Sequence, residues 1–152
     1  MTTLILMRHG AADWVTPDEE RPLSATGIQQ CQRQISARSQ QLEGVGRLWV
    51  SPYLRARQTA EMLPLNTSVE HSRANWLTPD SDPERVIAEL AASLSADTAM
   101  LVAHNPLLTR LLNRLLGAEP GRYHLGTSAM AAVELPLVAA GCGELLWFDP
   151  GF

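Results

Sequence analysis

The sequence is poor in cysteine, because its 152 residues include only Cys31 and Cys142, far apart and outside any metal-ligand spacing. Two isolated cysteines are typical of reduced thiols in a cytosolic protein, so neither a disulfide framework nor a zinc site is expected. No apolar run approaches the roughly 18 residues that span a bilayer, and the N-terminus lacks a signal-peptide pattern. We therefore expect a cytoplasmic protein that does not enter the membrane.

A basic block is also absent, since 12 Lys and Arg stand against 16 Asp and Glu, which gives a formal net charge of −4. An acidic chain of this kind argues against general binding to nucleic acid or to a membrane surface. Any anion site must be a local concentration of arginines. Hydrophobic residues make up 45% and charged residues 18%, as in an ordinary globular protein. The length predicts one domain over residues 1–152, and we expect a monomer.

Strand and helix patterns alternate along the chain. Short apolar runs predict strands at residues 4–7, 47–50, 68–71, 99–103, 129–135 and 144–148. Cap residues, prolines and apolar spacing predict helices at residues 26–42, 52–63, 83–94 and 106–116. Ile28, Cys31 and Ile35 share one face of the first helix, and Ser51 is the expected N-cap of the second. The acidic stretch that holds Asp18, residues 11–21, is expected to be an exposed loop. This alternation predicts an α/β fold, a three-layer α/β/α sandwich with a mostly parallel central sheet and helices on both faces.

Three of the predicted strands end in turns with reactive or cationic side chains. These turns are Arg8-His9-Gly10, the stretch from Ser51 to Arg55, and His104-Asn105-Pro106. The carboxyl ends of parallel strands share one sheet edge, where ligands bind in open α/β sheets. Two imidazoles and at least two guanidiniums converging there suit a tetrahedral dianion, because guanidinium pairs with phosphate through two hydrogen bonds. We interpret His9 as a nucleophile and Arg8 as an anion ligand.

Other chemistries lack their motifs. The chain has no Gly-rich P-loop for magnesium-dependent nucleotide hydrolysis and no Gly-x-Ser-x-Gly elbow for a serine nucleophile. Two histidines without a neighbouring carboxylate or cysteine make a poor zinc set, and nearby arginines would repel a cation. We therefore expect no metal and no cofactor, and phosphoryl chemistry on histidine remains as the simplest interpretation.

Four motifs in this order resemble the histidine phosphatase (phosphoglycerate-mutase-like) superfamily. They are Leu-Met-Arg-His-Gly at residues 6–10, Arg-Pro-Leu-Ser-Ala-Thr-Gly at 21–27, Ser-Pro-Tyr-Leu-Arg-Ala-Arg-Gln-Thr-Ala at 51–60, and His-Asn-Pro at 104–106. The short length and the His-Asn-Pro variant most resemble the small SixA-type phosphohistidine phosphatases. That resemblance implies action on phosphohistidine in a protein, for example a histidine phosphotransfer domain of two-component signalling.

The resemblance implies a phosphohistidine intermediate on His9, with Arg8, Arg55 and His104 binding the phosphate oxygens. Arg57 lies two residues after Arg55 and faces another way on a helix. In the pattern of the family that the chain resembles, the first of the two arginines is the phosphate ligand, which implies Arg55. Nearby Arg8 and Arg55 should lower the pKa of His9, which must be neutral to attack.

Five further residues are weaker candidates for contacting the substrate, and each also has an ordinary structural explanation: Gly10, Arg21, Asn105, Ser128 and Asp80. Arg21 could instead pair with Glu19 or Glu20. Asn105 could donate its backbone N–H to phosphate, although capping a helix alone would explain this residue. Larger members of the family that the chain resembles use a glutamate as a general acid on phosphate esters. Asp80 could take that role here, although a loop or cap residue is the simpler interpretation.

A phosphate ester needs that acid more than a phosphoramidate does, so the sequence favours phosphohistidine. Two alternatives stay open: a phosphatase for a small ester or sugar phosphate, and a phosphate- or phosphoprotein-binding module without turnover.

Overall fold

The computed structural model describes residues 1–152 and has one six-stranded sheet. Its strands are β1 (Thr2–Arg8), β2 (Arg47–Val50), β3 (Glu70–Arg73), β4 (Thr98–Ala103), β5 (Met130–Leu135) and β6 (Glu144–Asp149). The spatial order is β3-β2-β4-β1-β5-β6. The first four strands are mutually parallel, and β5 and β6 are antiparallel to their neighbours. The predicted mostly parallel sheet is therefore confirmed, with a β5–β6 hairpin at one edge.

Five helices cover the sheet: α1 (Ala25–Ala37), α2 (Ser39–Leu42), α3 (Leu54–Glu61), α4 (Pro83–Ser93) and α5 (Leu107–Leu116). Strand β1 shows how they form two layers, because successive side chains of a strand point to opposite faces. Leu4 and Leu6 pack in the core that α4 and α5 cover, whereas Ile5 and Met7 pack in the core beneath α1, α2 and α3. The three-layer prediction is thus confirmed. None of the helices has the length and apolar character needed to cross a membrane.

The helix predicted over residues 26–42 is interrupted. Helix α1 ends at Ala37, Arg38 leaves the helical conformation with a ψ of 18°, and α2 adds only one further turn. Ile28 was expected on the buried face, but it is 41% exposed while Cys31 and Ile35 are buried. Pattern reasoning placed Ile28 on the wrong face because the polar residues around it left the boundary of the apolar stripe undefined.

The second helix begins later than predicted. Ser51 is not its N-cap, because α3 starts at Leu54 and Tyr53 occupies the cap position. The Ser51 hydroxyl instead contacts His104, so this side chain joins the turn after β2 to the turn after β4. Helix α3 ends at Glu61 rather than at residue 63, and β3 spans Glu70–Arg73 rather than residues 68–71.

Candidate active site

The three predicted turns meet at the carboxyl edge of the parallel strands. Arg8 pairs with Ala103 in the register of β1 and β4, so the next residues, His9 and His104, leave the sheet side by side. The His9 amide continues this pairing by donating to the Ala103 carbonyl at 3.1 Å. The two imidazole ring centroids are 5.0 Å apart, and both residues are buried. Sheet register therefore places the two histidines together without help from any loop.

The hydrogen bonds of His9 define which ring nitrogen can act as a nucleophile. Nδ1 lies 2.6 Å from the Gly10 carbonyl oxygen, which can only accept, so Nδ1 carries the proton. The lone pair is then on Nε2, which accepts a hydrogen bond from Arg55 Nε at 3.3 Å. Glycine is required at residue 10, because a Cβ there would lie 2.5 Å from the Gly27 carbonyl oxygen of α1. The close approach of α1 thus fixes the turn that orients His9.

Arg55 is buried and has partners on all three guanidinium nitrogens. Besides His9, it donates from Nη1 to the Asp18 carbonyl at 2.7 Å and from Nη2 to the Asp18 carboxylate at 3.2 Å. Asp18 begins a 3-10 turn over Asp18–Glu20, and its side chain is half exposed. Arg57 instead donates to the Pro52 carbonyl and lines a separate cavity of about 610 Å³. That cavity does not include the histidines, and Arg55, rather than Arg57, faces them.

His104 is held by Ser51 and Tyr53. Its Nε2 lies 2.6 Å from the Ser51 hydroxyl, which also accepts from the Tyr53 amide at 3.2 Å. The Tyr53 ring meets the His104 ring edge-on at a centroid distance of 5.0 Å, and the Arg55 guanidinium lies 5.1 Å from the same aromatic ring. Tyr53 therefore contacts both His104 and Arg55 through its ring.

Burial and cationic neighbours keep both imidazoles neutral. Burial lowers the pKa of His9 most, the Gly10 hydrogen bond opposes this, and the charges of Arg55, Arg8 and Arg21 lower it further, to about 3. Burial lowers the pKa of His104 to about 2, with additional contributions from His9 and the same arginines. The predicted direction for His9 is found, but burial contributes more than the arginines on which the sequence argument relied.

Unpaired polar atoms are concentrated in this region. Four buried side-chain nitrogen or oxygen atoms have no hydrogen-bond partner, and three of them are Arg8 Nε, His104 Nδ1 and Ser128 Oγ. Buried polar atoms without a partner cost free energy, so their presence in one place is consistent with a site that binds a ligand. Arg8 also donates from Nη1 to the Leu125 carbonyl at 3.1 Å, and burial followed by the charge of Arg55 lowers its pKa. The site therefore contains unused donors as well as unneutralised positive charge.

Two of the weaker candidates, Gly10 and Ser128, hold the backbone around His9. The Gly10 amide donates to the Thr59 hydroxyl at 3.3 Å, so this amide is not free for a ligand. Ser128 has a left-handed φ of 59° and donates its amide to the His9 carbonyl at 2.9 Å. A non-glycine residue rarely adopts this conformation unless its surroundings enforce it. The His9 turn is thus fixed from both sides.

The side chain and the backbone amide of Asn105 differ in their hydrogen bonds. Its side chain donates to the Leu125 carbonyl at 2.7 Å and accepts from the Thr109 amide at 3.1 Å, which anchors the start of α5. Its backbone N–H has no acceptor within the protein. The side chain therefore serves the fold, while the amide is available to an anion at the positive end of the helix dipole.

Arg21 pairs with Asp18 rather than with Glu19 or Glu20. It donates to the Asp18 carboxylate at 3.3 Å, to the Asp13 carbonyl at 2.9 Å and to the Ala12 carbonyl at 3.3 Å. Its charge contributes to the lowered pKa of both site histidines. Asp18 therefore joins Arg21 to Arg55. Its own partial burial raises the pKa of Asp18, but the two arginines lower it overall.

Asp80 lies outside the hydrogen-bonded cluster. It is exposed and accepts no hydrogen bond, whereas nearby Asp82 caps α4 by accepting from the Glu84 amide at 2.9 Å. Burial raises the pKa of Tyr53, and the charges of Glu19, Asp18 and Asp80 add to this effect, so Asp80 is within electrostatic range of the Tyr53 hydroxyl. Of the two carboxylates in residues 76–82, only that of Asp80 is therefore without a hydrogen bond.

Sequence reasoning missed three contributors: Ser51, Asp18 and Tyr53. Ser51 was interpreted as a helix cap and Asp18 as one of several exposed loop acids, and Tyr53 received no role. The one available signal was the Asp-x-x-Arg spacing of residues 18–21, which fits a local ion pair. No group of three or more His, Cys, Asp or Glu side chains is arranged to hold a metal ion. The arrangement is chemically suited to binding a phosphoryl group beside an unprotonated imidazole.

Comparison with known proteins gives consistent matches. The model of the histidine phosphatase superfamily (branch 1) matches residues 4–75. Phosphohistidine phosphatase SixA of Escherichia coli (strain K12) is 33% identical over 150 residues, which are 95% of this chain and 91% of the relative.

Solved structures agree with the sequence matches. The structure of the protein histidine phosphatase SixA complexed with tungstate is 30% identical, with a TM-score of 0.85 over 97% of this chain and 96% of the other. A structure from Nakamurella multipartitia that is assigned as a phosphohistidine phosphatase SixA is 23% identical, with a TM-score of 0.79 over 99% of this chain and 96% of the other. At this identity the match supports the fold alone.

Proposed function

Because this chain belongs to the histidine phosphatase superfamily and is a SixA-like phosphatase, we propose that it hydrolyses phosphohistidine on a protein through a covalent intermediate on His9. The substrate class is that of the E. coli relative, phosphohistidine phosphatase SixA. Within that class we propose a phosphorylated histidine phosphotransfer domain of two-component signalling in the cytoplasm.

One observation carries the proposal: the unprotonated Nε2 of His9, which accepts only from Arg55, lies beside cationic side chains and unpartnered polar atoms. Nδ1 is fixed on the Gly10 carbonyl, Arg55 Nε lies 3.3 Å from Nε2, and the His104 ring is 5.0 Å away. A neutral imidazole held in one orientation is a competent nucleophile. The surrounding positive charge would stabilise the oxygens of a phosphoryl group, which is the main requirement of phosphoryl transfer.

In the first step, the lone pair of His9 Nε2 attacks phosphorus in line with the P–N bond of the substrate. The new bond forms as the P–N bond to the substrate imidazole breaks, and the departing nitrogen takes a proton from water. Arg55 moves its Nε–H from Nε2 to a phosphoryl oxygen. Arg8, whose Nε has no partner, binds the equatorial oxygens with it.

His104 acts as a neutral donor. The Ser51 hydroxyl accepts from the Tyr53 amide and donates its own proton to His104 Nε2, which leaves the ring proton on the unpartnered Nδ1. That N–H binds a phosphoryl oxygen, and the free amide of Asn105 adds a second donor.

In the second step, water attacks the phosphoryl group on His9. The P–Nε2 bond breaks and its electron pair returns to Nε2. One proton of the attacking water stays on the phosphate, the other neutralises the hydroxide left by the first step, and inorganic phosphate leaves. Dividing one displacement between two steps is the usual advantage of covalent catalysis.

The absence of a committed acid supports phosphohistidine over a phosphate ester. An alkoxide leaving group gains about 10²–10⁴-fold from a positioned proton donor, whereas an imidazole can accept a proton from solvent. The exposed Asp80 makes no contact with the histidines, and Asp82 is committed to capping α4. The site is therefore better matched to a phosphoramidate.

The test is to trap and map the intermediate with a ³²P-labelled phosphotransfer domain. We expect acid-labile, base-stable label on residue 9 of the wild-type protein and none on the His9→Ala variant. His71→Ala is the matched control, because His71 is an exposed histidine on β3, and it should label normally. Equal hydrolysis by wild type and His9→Ala would refute the nucleophile, and turnover of sugar phosphates alone would refute the protein substrate. Binding of phosphate without any turnover would favour a binding module.

A further inference from the structure

Trp14 is a large apolar side chain that the core does not use. It lies between β1 and α1 and is 86% exposed, the largest fraction among the exposed large hydrophobic residues. Its ring nevertheless has a fixed partner, because the Arg21 guanidinium lies 3.8 Å from the ring centroid. Arg21 is itself held by two backbone carbonyls and by Asp18. Trp14 is therefore exposed to solvent and held in place, which lowers the entropy cost of using it in binding.

A series of direct contacts connects Trp14 to the nucleophile. Arg21 donates to the Asp18 carboxylate at 3.3 Å, and Arg55 donates to the same carboxylate at 3.2 Å. Arg55 then reaches His9 at 3.3 Å. The indole thus lies on the rim of the candidate active site, beyond the depth at which a phosphoryl group would bind.

Charge changes sign between the bottom of the site and its rim. Arg8 and Arg55 lie beside the histidines, whereas the segment of residues 11–21 carries four acidic side chains and one arginine. Glu19 and Asp18 are close enough to raise the pKa of Tyr53, which covers His104. A small phosphate dianion would bind the arginines at the bottom and be repelled by the rim. A partner with basic side chains around its phosphoryl group would be attracted by both.

We propose that Asp13, Trp14, Glu19 and Glu20 form a docking rim for the protein that carries the phosphohistidine. The partner has two matching features. An apolar depression on its surface covers the indole of Trp14, and basic side chains lie beside its phosphohistidine. This inference rests on the proposed function and adds the surface that selects a protein over a free phosphorylated metabolite. Tryptophan is one of the residue types that are enriched among the few residues that dominate binding energy.

The experiment compares two substrates with the same P–N bond: a phosphorylated histidine phosphotransfer domain and free phosphohistidine. With Trp14→Ala, we expect kcat/KM on the phosphoprotein to fall about 30-fold, mainly through KM, as for an aromatic binding hot spot. Hydrolysis of free phosphohistidine should be unchanged. Leu137→Ala is the control, because Leu137 is 63% exposed just after β5, at the opposite sheet edge, and it should affect neither substrate.

Charge reversal gives a second, opposite signature. The Glu19→Lys, Glu20→Lys double variant should slow hydrolysis of the phosphoprotein and accelerate that of free phosphohistidine, because lysines repel the basic partner and attract the small anion. Parallel changes on both substrates in either variant would refute docking. So would unchanged kcat/KM of Trp14→Ala on the phosphoprotein, or a wild-type dimer that Trp14→Ala dissociates in sedimentation. If the wild type hydrolyses free phosphohistidine but no phosphoprotein, the proposed function itself fails, and docking fails with it.

Discussion

Lowering the pH from 7 to 5 should destabilise the folded protein through His9 and His104. The folded state keeps both neutral, with pKa values of about 3 and about 2, whereas an unfolded histidine titrates near its ordinary pKa of about 6.5. Below that value only the unfolded state takes up a proton at these positions. The stability is therefore fully present above pH 6.5 and is lost as the pH falls toward the folded pKa values.

The loss at pH 5 does not depend on how far below 5 the folded pKa values lie. Each histidine contributes about 2 kcal/mol between pH 7 and pH 5, because the unfolded state is then almost fully protonated and the folded state is not. Both together give about 4 kcal/mol. With a urea m value of about 2 kcal/mol/M, the unfolding midpoint should fall by about 2 M.

Urea unfolding at the two pH values, followed by circular dichroism, measures this loss. His9→Gln and His104→Gln each remove one histidine that takes up a proton on unfolding. In each variant the drop in unfolding free energy between pH 7 and pH 5 should be about half that of the wild type, whatever its stability at pH 7. His71→Gln changes an exposed histidine and should retain the full dependence. If the midpoint falls equally in the wild type and both site variants, the histidines are not held neutral and the electrostatic reasoning is wrong.

Three further variants test individual contacts. Arg55→Lys keeps the charge but cannot bridge His9 and Asp18 together, so kcat/KM should fall about 10²–10³-fold in steady-state assays without loss of folded structure. Asp18→Asn removes a carboxylate that competes with phosphate for Arg55 and Arg21, so the inhibition constant for inorganic phosphate should fall several-fold, by about 1 kcal/mol. Weaker inhibition would show that Asp18 positions Arg55 instead. Asp80→Asn should change kcat on phosphohistidine by less than about threefold, and a 100-fold loss would identify it as the missing acid.

The sequence predicted those parts of the fold that depend on local patterns. Apolar β1 and β4 lie at the centre of the sheet, and leucines of α5 pack in the core as their spacing indicates. The meeting of His9, Arg55 and His104 was predicted because parallel strands have a common carboxyl edge. That inference needs only strand direction, and strand direction follows from the alternation of strands and helices.

What the sequence did not predict depends on contacts between distant residues. Ser51 could cap a helix or contact His104, 53 positions away, and only the three-dimensional register of β2 and β4 selects the second. In the sequence, Asp18 cannot be distinguished from its acidic neighbours, because nothing nearby in the chain shows that Arg55 will donate to it. Ser128 was a candidate for contacting the substrate; the structure adds that it has a left-handed φ and that its amide reaches back to the His9 carbonyl. For Ser51 and Asp18 a local interpretation was chosen, whereas the structure gives each a long-range partner.

The layering of charge explains how an acidic chain can present a phosphate site. Burial lowers the pKa of Arg8, and repulsion by the nearby charge of Arg55 adds to this effect. In the free protein Asp18 offsets this repulsion by contacting Arg55 and Arg21 together. An incoming phosphoryl group supplies more negative charge, at the bottom of the site, and can take over that role. The Asp18 carboxylate stabilises the arginines of the free site, so a ligand must carry enough negative charge to replace Asp18 as their partner.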